Sequence, residues 1–292
     1  MRKEDFLKVL KTVSYTETEK PGMMKDGSVS SSSAMMPVLF VGHGSPMNAI
    51  EDNEFVKGWE QSVHGIPRPR AILCISAHWE TSGTFVTAVP EPPTIHDFGG
   101  FPRKLYEIQY PAPGDPALAR KIQQLITATT TMADEKWGLD HGSWSVLTRM
   151  YPDAEIPVIQ LSLDYTKPAS FHYDLGRQLM PLRREGILII GSGNIVHNLM
   201  LVDWNNLDRT GYGYDWALEA SQMTRQLINA KNHRSLIDYK SLGKAFGLAV
   251  PTPEHFLPLL YILALQQEGE EALFFNDKTV AGSLDMTSLK IG

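Results

Sequence analysis

Apolar residues along this chain gather in short, β-branched runs that stop abruptly at glycine, serine, aspartate or histidine. MPVLFV (36–41) runs into GHGSP, RAILCISA (70–77) into HWE, IPVIQLSL (156–163) stops at Asp164, and GILII (186–190) runs into GSGNIVHN. Runs this short, bounded by turn residues, predict buried strands rather than helices. ALFF (272–275) and SLKI (288–291) predict two late strands. Helical spacing fills the intervals. Residues 116–128 place Pro116 at a first helical position. Residues 167–185 are amphipathic, with Ser170 as candidate N-cap. Residues 215–232 put Trp216, Ala220, Met223 and Leu227 on one face. Residues 254–267 are apolar nearly all round, which predicts a buried helix. The alternation of strand and helix predicts one α/β domain over residues 36–292, a central, largely buried β-sheet flanked by helices. Residues 80–113 are rich in proline, glycine and aromatics without clear period, the mark of a long ordered loop that builds a site.

The ends of the chain and its composition narrow the class. MRKEDFLKVLK is charged throughout and lacks the apolar stretch of an export signal, and PGMMKDGSVSSSSA is small, polar and serine-rich. Residues 1–35 therefore read as a flexible arm. Of the 292 residues, 42% are hydrophobic and 21% charged, and the net charge is −6 with no basic block, so nothing points to a nucleic-acid partner. No apolar run approaches the roughly 20 residues needed to span a bilayer. The single cysteine, Cys74, sits inside a strand run, so it reads as a buried thiol, and the expected compartment is the cytoplasm.

The histidines carry the chemistry. His43 follows the first strand, His78 the second, and His197 the fourth, just beyond the glycines of GSGN. Ligands of α/β sheets bind beyond the carboxyl ends of strands, so three histidines delivered to one edge can converge on a metal. His255, in PTPEHF, opens the late apolar helix; it is either a rigidly held ligand or a plain first-turn residue beside Glu254. His141, in DHGSW, is a candidate general acid or base, with no pairing to Asp140 assumed. His96 lies in the long loop and either lines a substrate pocket or caps the loop, while His64, His172 and His233 fall in surface-like or helical segments. The glycines lack a dinucleotide fingerprint, and there is no phosphate loop, no HExxH, no paired CxxC and no G-x-S-x-G elbow.

GHGSPMN (42–48), SAHW (76–79), PPTIHDFGGFPRKLYEIQYPAPG (92–114), WGLDHGSW (137–144), GSGNIVHN (191–198) and PTPEHFLPLLY (251–261) together resemble the 4,5-DOPA dioxygenase extradiol family, within the class III extradiol dioxygenases named after the protocatechuate 4,5-dioxygenase catalytic subunit. The resemblance spans about residues 36–292. It implies an oxidoreductase that opens a catechol, DOPA or a relative, with O₂ at one non-haem divalent metal, Zn²⁺ or Fe²⁺. Position by position it implies His43 and His78 as ligands, and His255 at the place that is a carboxylate in the protocatechuate enzymes. His197 is implied as a further ligand or as the acid/base, and His141 as the histidine that binds and protonates substrate. His96, Phe98 and Trp144 are expected to contact the substrate, with Phe101 and Tyr106 completing the wall. Two other readings use the same histidines: a zinc hydrolase or amidase with a metal-bound water, and a binding relative without turnover.

Overall fold

The computed structural model describes residues 35–207 and 209–292, so the arm, apart from Met35, lies outside the described residues. Six strands form the central sheet: β1 Val38–Gly42, β2 Ala71–Ser76, β3 Val158–Gln160, β4 Ile187–Gly193, β5 Ala272–Phe275 and β6 Ser288–Ile291. Their order is β3-β2-β4-β1-β6-β5. The first four are mutually parallel, and β6 and β5 complete the sheet antiparallel. Every residue of β1, β2 and β4 is buried. Side chains alternate between faces: Val38, Phe40, Leu73, Ile75, Ile187 and Ile189 feed one core, and Leu39, Val41, Ile72, Leu188 and Ile190 the other. With both faces covered, these strands carry no polar alternation, which is why they read as continuous apolar runs.

Helices α1 Glu54–Ser62, α2 Pro116–Leu125, α3 His141–Met150, α4 Ala169–Gln178, α5 Asp215–Asn229 and α6 Leu257–Ala264 cover the sheet. All eight residues of α6 are buried, as its composition predicts. It lies tight on β4 because Gly191 has no side chain: a Cβ there would sit 2.6 Å from the Pro258 carbonyl oxygen. Four helical expectations need adjustment. The helix expected over 167–185 is two, Ala169–Gln178 and Met180–Arg184, because Pro181 has no N–H to continue the ladder. Ser170 is not the cap; the helix opens at Ala169 behind extended Pro168, without a side-chain cap. The buried seam of α5 is Ala217, Ala220, Ser221, Thr224 and Ile228, with Trp216, Met223 and Leu227 flanking it. The helix expected from Glu254 begins at Leu257, which leaves His255 in the preceding turn. Among the described residues no helix is long and apolar enough to cross a membrane.

Strand register decides where the site forms. Gly42 pairs with Gly193 and Ser76 with Ser192, so β1, β2 and β4 end at one level. The ladder continues one residue further, His43 N–H donating to the Gly193 carbonyl at 3.0 Å and Ala77 N–H to that of Ser192 at 2.9 Å.

Candidate active site and metal centre

Five histidines meet beyond this level edge. His43 leaves β1 directly, and its ring lies 5.0 Å from that of His78 and 5.2 Å from that of His255. His78 lies 5.0 Å from His255 and 3.8 Å from His141, the first residue of α3. His197 stacks on His255 at 3.5 Å, the planes only 8° apart. Donor atoms fall into two groups, His43, His78 and His141, and His197, Glu254 and His255, each within 4.8 Å of one another. The turn bearing His255 sits against β4 because Gly193 leaves room: a Cβ there would lie 2.1 Å from the His255 carbonyl oxygen. Asn194 N–H donates to that same oxygen at 2.9 Å.

Hydrogen bonds assign the ring protons. The Ser192 hydroxyl donates to the Gly142 carbonyl at 2.5 Å, so it accepts from His43 Nδ1–H at 3.0 Å. His43 Nε2 is thereby left with a bare lone pair, 3.1 Å from His78 Nε2. Glu254 Oε1 lies 3.2 Å from His255 Nδ1, and the buried Nε2 of His255 has no partner. Asp97 Oδ1 accepts the His141 backbone N–H at 2.9 Å, and its Oδ2 lies 2.9 Å from His141 Nδ1 at ion-pair distance, without the geometry of a hydrogen bond. These features fit a divalent cation. The Nε2 atoms of His43 and His78 stand 3.1 Å apart, close enough to share one ion.

The electrostatics agree. Burial first, then repulsion by the neighbouring rings, holds His43 well below the ordinary imidazole range. Burial also pushes His78 down to about 3 and His197 to about 4, and holds His255 well below normal. Near neutral pH all four are uncharged, as ligands must be. Behind them Asp140, fully buried, caps α3 and accepts from Ser76 Oγ at 2.7 Å and Gln160 Nε2 at 2.6 Å. Burial raises its pKa. Its side chain is committed to Ser76 and Gln160, and the acid that reaches His141 is Asp97.

The long loop supplies one wall. Phe98 stands edge-on to His141 at 5.5 Å and packs on Phe101 and Tyr106. His96 sits behind Phe98, its Nε2 3.0 Å from the Ile108 carbonyl oxygen. Trp144, expected at the substrate, is 0% exposed, and its indole N–H donates to the Ile95 carbonyl at 2.8 Å, so it packs behind Phe98 from the core side. His172 is buried against the Tyr261 hydroxyl and His233 pairs with the Tyr173 hydroxyl, both away from the cluster. Cys74 is buried, and burial raises its thiol well above normal, an inert structural group. Asp97 and Ser192 contact the clustered histidines, and the sequence pattern does not single them out. Asp97 stands next to His96 in IHDFGG, where an acid amid glycines and aromatics is its only local signal.

Comparison with known proteins accords with this geometry. The profile of the catalytic LigB subunit of aromatic ring-opening dioxygenase matches residues 36–280. The chain is similar to the 4,5-DOPA dioxygenase extradiol of Escherichia coli (strain K12), 46% identical over 265 residues that cover 89% of this chain and 96% of the relative. It is also similar to the 4,5-DOPA dioxygenase extradiol of Beta vulgaris, 37% identical over 260 residues, covering 86% and 95%. A crystal structure of an uncharacterized protein from Escherichia coli K12 superposes with a TM-score of 0.76 at 41% identity, covering 88% of this chain and 100% of that one. By sequence and by fold, this chain belongs to the family of the catalytic LigB subunit of aromatic ring-opening dioxygenases.

Proposed function

We propose that the protein is an extradiol dioxygenase that opens a catechol, DOPA or a simpler one, beside its diol, with both atoms of O₂ entering the product. The observation that carries this reading is the convergence of five histidines beyond the ends of parallel strands, with His43 Nε2 facing His78 and the unpartnered His255 Nε2 among them. His43, His78 and His255 would hold one divalent metal, Fe²⁺ or Zn²⁺, with His197 beside them as ligand or base. When bound, such an ion supplies Lewis acidity and open positions where diol and O₂ meet.

The chain's own residues do the rest. A catechol must lose protons to chelate, and His197, stacked on His255, is placed to take one at its ring nitrogen. His141, whose backbone N–H is held by Asp97, would take or return a proton at its ring. Phe98 would flank the ring and help exclude water. The single buried cysteine suits a reducing cytoplasm.

The test combines an oxygen electrode with absorbance, using Fe²⁺-loaded protein and a panel of catechols. The expected result is one O₂ consumed per ring and a yellow semialdehyde product. His141→Ala should keep the metal and slow ring opening by about 10²–10⁴-fold. His197→Ala should nearly abolish turnover, and its metal content separates base from ligand. No oxygen uptake at confirmed iron occupancy overturns the dioxygenase and favours a hydrolase.

A further inference from the structure

Building on that reading, we infer that Glu254 is a positioning residue for the metal centre: its carboxylate, fixed by Thr252, orients His255 through Nδ1 and supplies negative charge that the ligand set itself lacks.

The geometry is specific. Glu254 Oε1 accepts from the Thr252 hydroxyl at 2.9 Å and lies 3.2 Å from His255 Nδ1. With Nδ1 as the donor to this oxygen, the Nε2 lone pair is left for a cation. That Nε2 is the buried, unpartnered atom described above, on a side chain only 7% exposed. The turn is rigid, since Phe256 N–H and Leu257 N–H both donate to the Pro253 carbonyl at 2.9 Å. The His255 main chain rests on Gly193. Adjacent residues on a flexible chain do not hold such a pairing; here the backbone and Thr252 impose it.

Charge makes the pairing matter. Four neutral imidazoles leave the full charge of a dication uncompensated in a largely buried site, where it is poorly solvated. Glu254 has no Lys or Arg partner among the described residues; its ionic contact is His255. Asp97 plays the matching part across the site, 2.9 Å from His141 Nδ1 and 3.9 Å from His78 Nδ1. The two carboxylates balance a dication through the rings. A carboxylate behind a ligating histidine both fixes its tautomer and strengthens its donation.

The test measures Zn²⁺ affinity of the full chain by competition with a chromophoric chelator, and the absorption spectrum of the Co²⁺-substituted protein. Glu254→Gln keeps the shape and an oxygen acceptor but removes the charge, and Glu254→Ala removes both. Thr252→Val frees the carboxylate without touching its charge. Both Glu254 variants should bind Zn²⁺ about 10–100-fold more weakly, Glu254→Ala the more so, with Thr252→Val between them and the wild type. Glu254→Asp should recover part of the loss. Co²⁺ band intensities should be retained in Glu254→Gln, because the nitrogen ligands are unchanged. Wild-type affinity in both Glu254 variants overturns the inference while leaving the dioxygenase reading intact. Altered Co²⁺ intensity in Glu254→Gln makes Glu254 a direct ligand and overturns the positioning role. Absence of metal binding by the wild-type chain overturns both readings.

Discussion

Three of the five clustered rings, His43, His141 and His255, meet an oxygen at Nδ1. Serine serves one and carboxylates the other two; Nε2 of His43 faces His78, and Nε2 of His255 is buried without a partner. The arrangement has a thermodynamic signature. Burial holds His78 at about 3 and His197 at about 4 in the metal-free fold, whereas an unfolded imidazole titrates near 6.5. Below that value the unfolded chain binds more protons than the folded one. The contribution of these rings is therefore full above about pH 6.5 and is lost as pH falls toward 4 and then 3. The Tm of metal-free protein should hold steady from about pH 8 to 7 and drop steeply below about 6.5, with His197→Gln flattening the slope. A Tm that stays level across that window would show the rings to be solvated in the fold. At this scale His43, His78 and His197 are legible in the sequence, since each follows a recognisable strand run. Their orienting partners are not: His43 and Ser192 stand 149 residues apart, and Asp97 and His141 44. No local pattern encodes a hydrogen bond across such a separation.

Strands β1, β2 and β4 work as a set because they end together. Their positions are readable because parallel strands covered on both faces need unbroken apolar runs. The segments beyond the strand ends are harder to read. Nothing local marks His255 as part of a turn; Pro258 near the start of α6 and the close seat on β4 place it there. Likewise Trp144 reads as an aromatic in a site motif, but the periodicity of α3 turns it into the core, where its indole finds the Ile95 carbonyl. Gly193 joins strand to turn, and its role can be tested. In Gly193→Ala the methyl meets the His255 carbonyl oxygen, a backbone atom that cannot swing aside. The expected cost is about 1–3 kcal/mol of stability. Zn²⁺ binding should weaken as well, because the whole turn shifts, and thermal melting with chelator competition reads both. A variant that melts and binds like the wild type would show the turn to be free of β4.

Across the molecule, the end of the sheet opposite the histidines is closed by Arg183. It is 0% exposed. Its guanidinium donates to the Met36 carbonyl at 2.7 Å, the Leu265 carbonyl at 2.6 Å, and both carboxylate oxygens of Glu270 at 2.9 and 2.5 Å. One side chain thus ties the entry to β1, the exit of α6 and the turn before β5. Arg183→Ala leaves Glu270 partly buried without its cation and two main-chain oxygens unmet, and should cost about 3–5 kcal/mol by urea unfolding. The Zn²⁺ affinity of the folded fraction should be unchanged, since the site lies at the other end of the strands. The level strand ends that gather the histidines also set an order of events. His43 and His78 are 35 residues apart, and the strands that carry them meet only through β4, more than a hundred residues further along. Contacts of such separation close late in folding. The ion then has no site until the sheet is nearly complete, and its affinity should appear in the unfolding rate while the refolding rate stays the same. Escape from the native state is what the metal slows, and the site acts as a latch that engages after assembly.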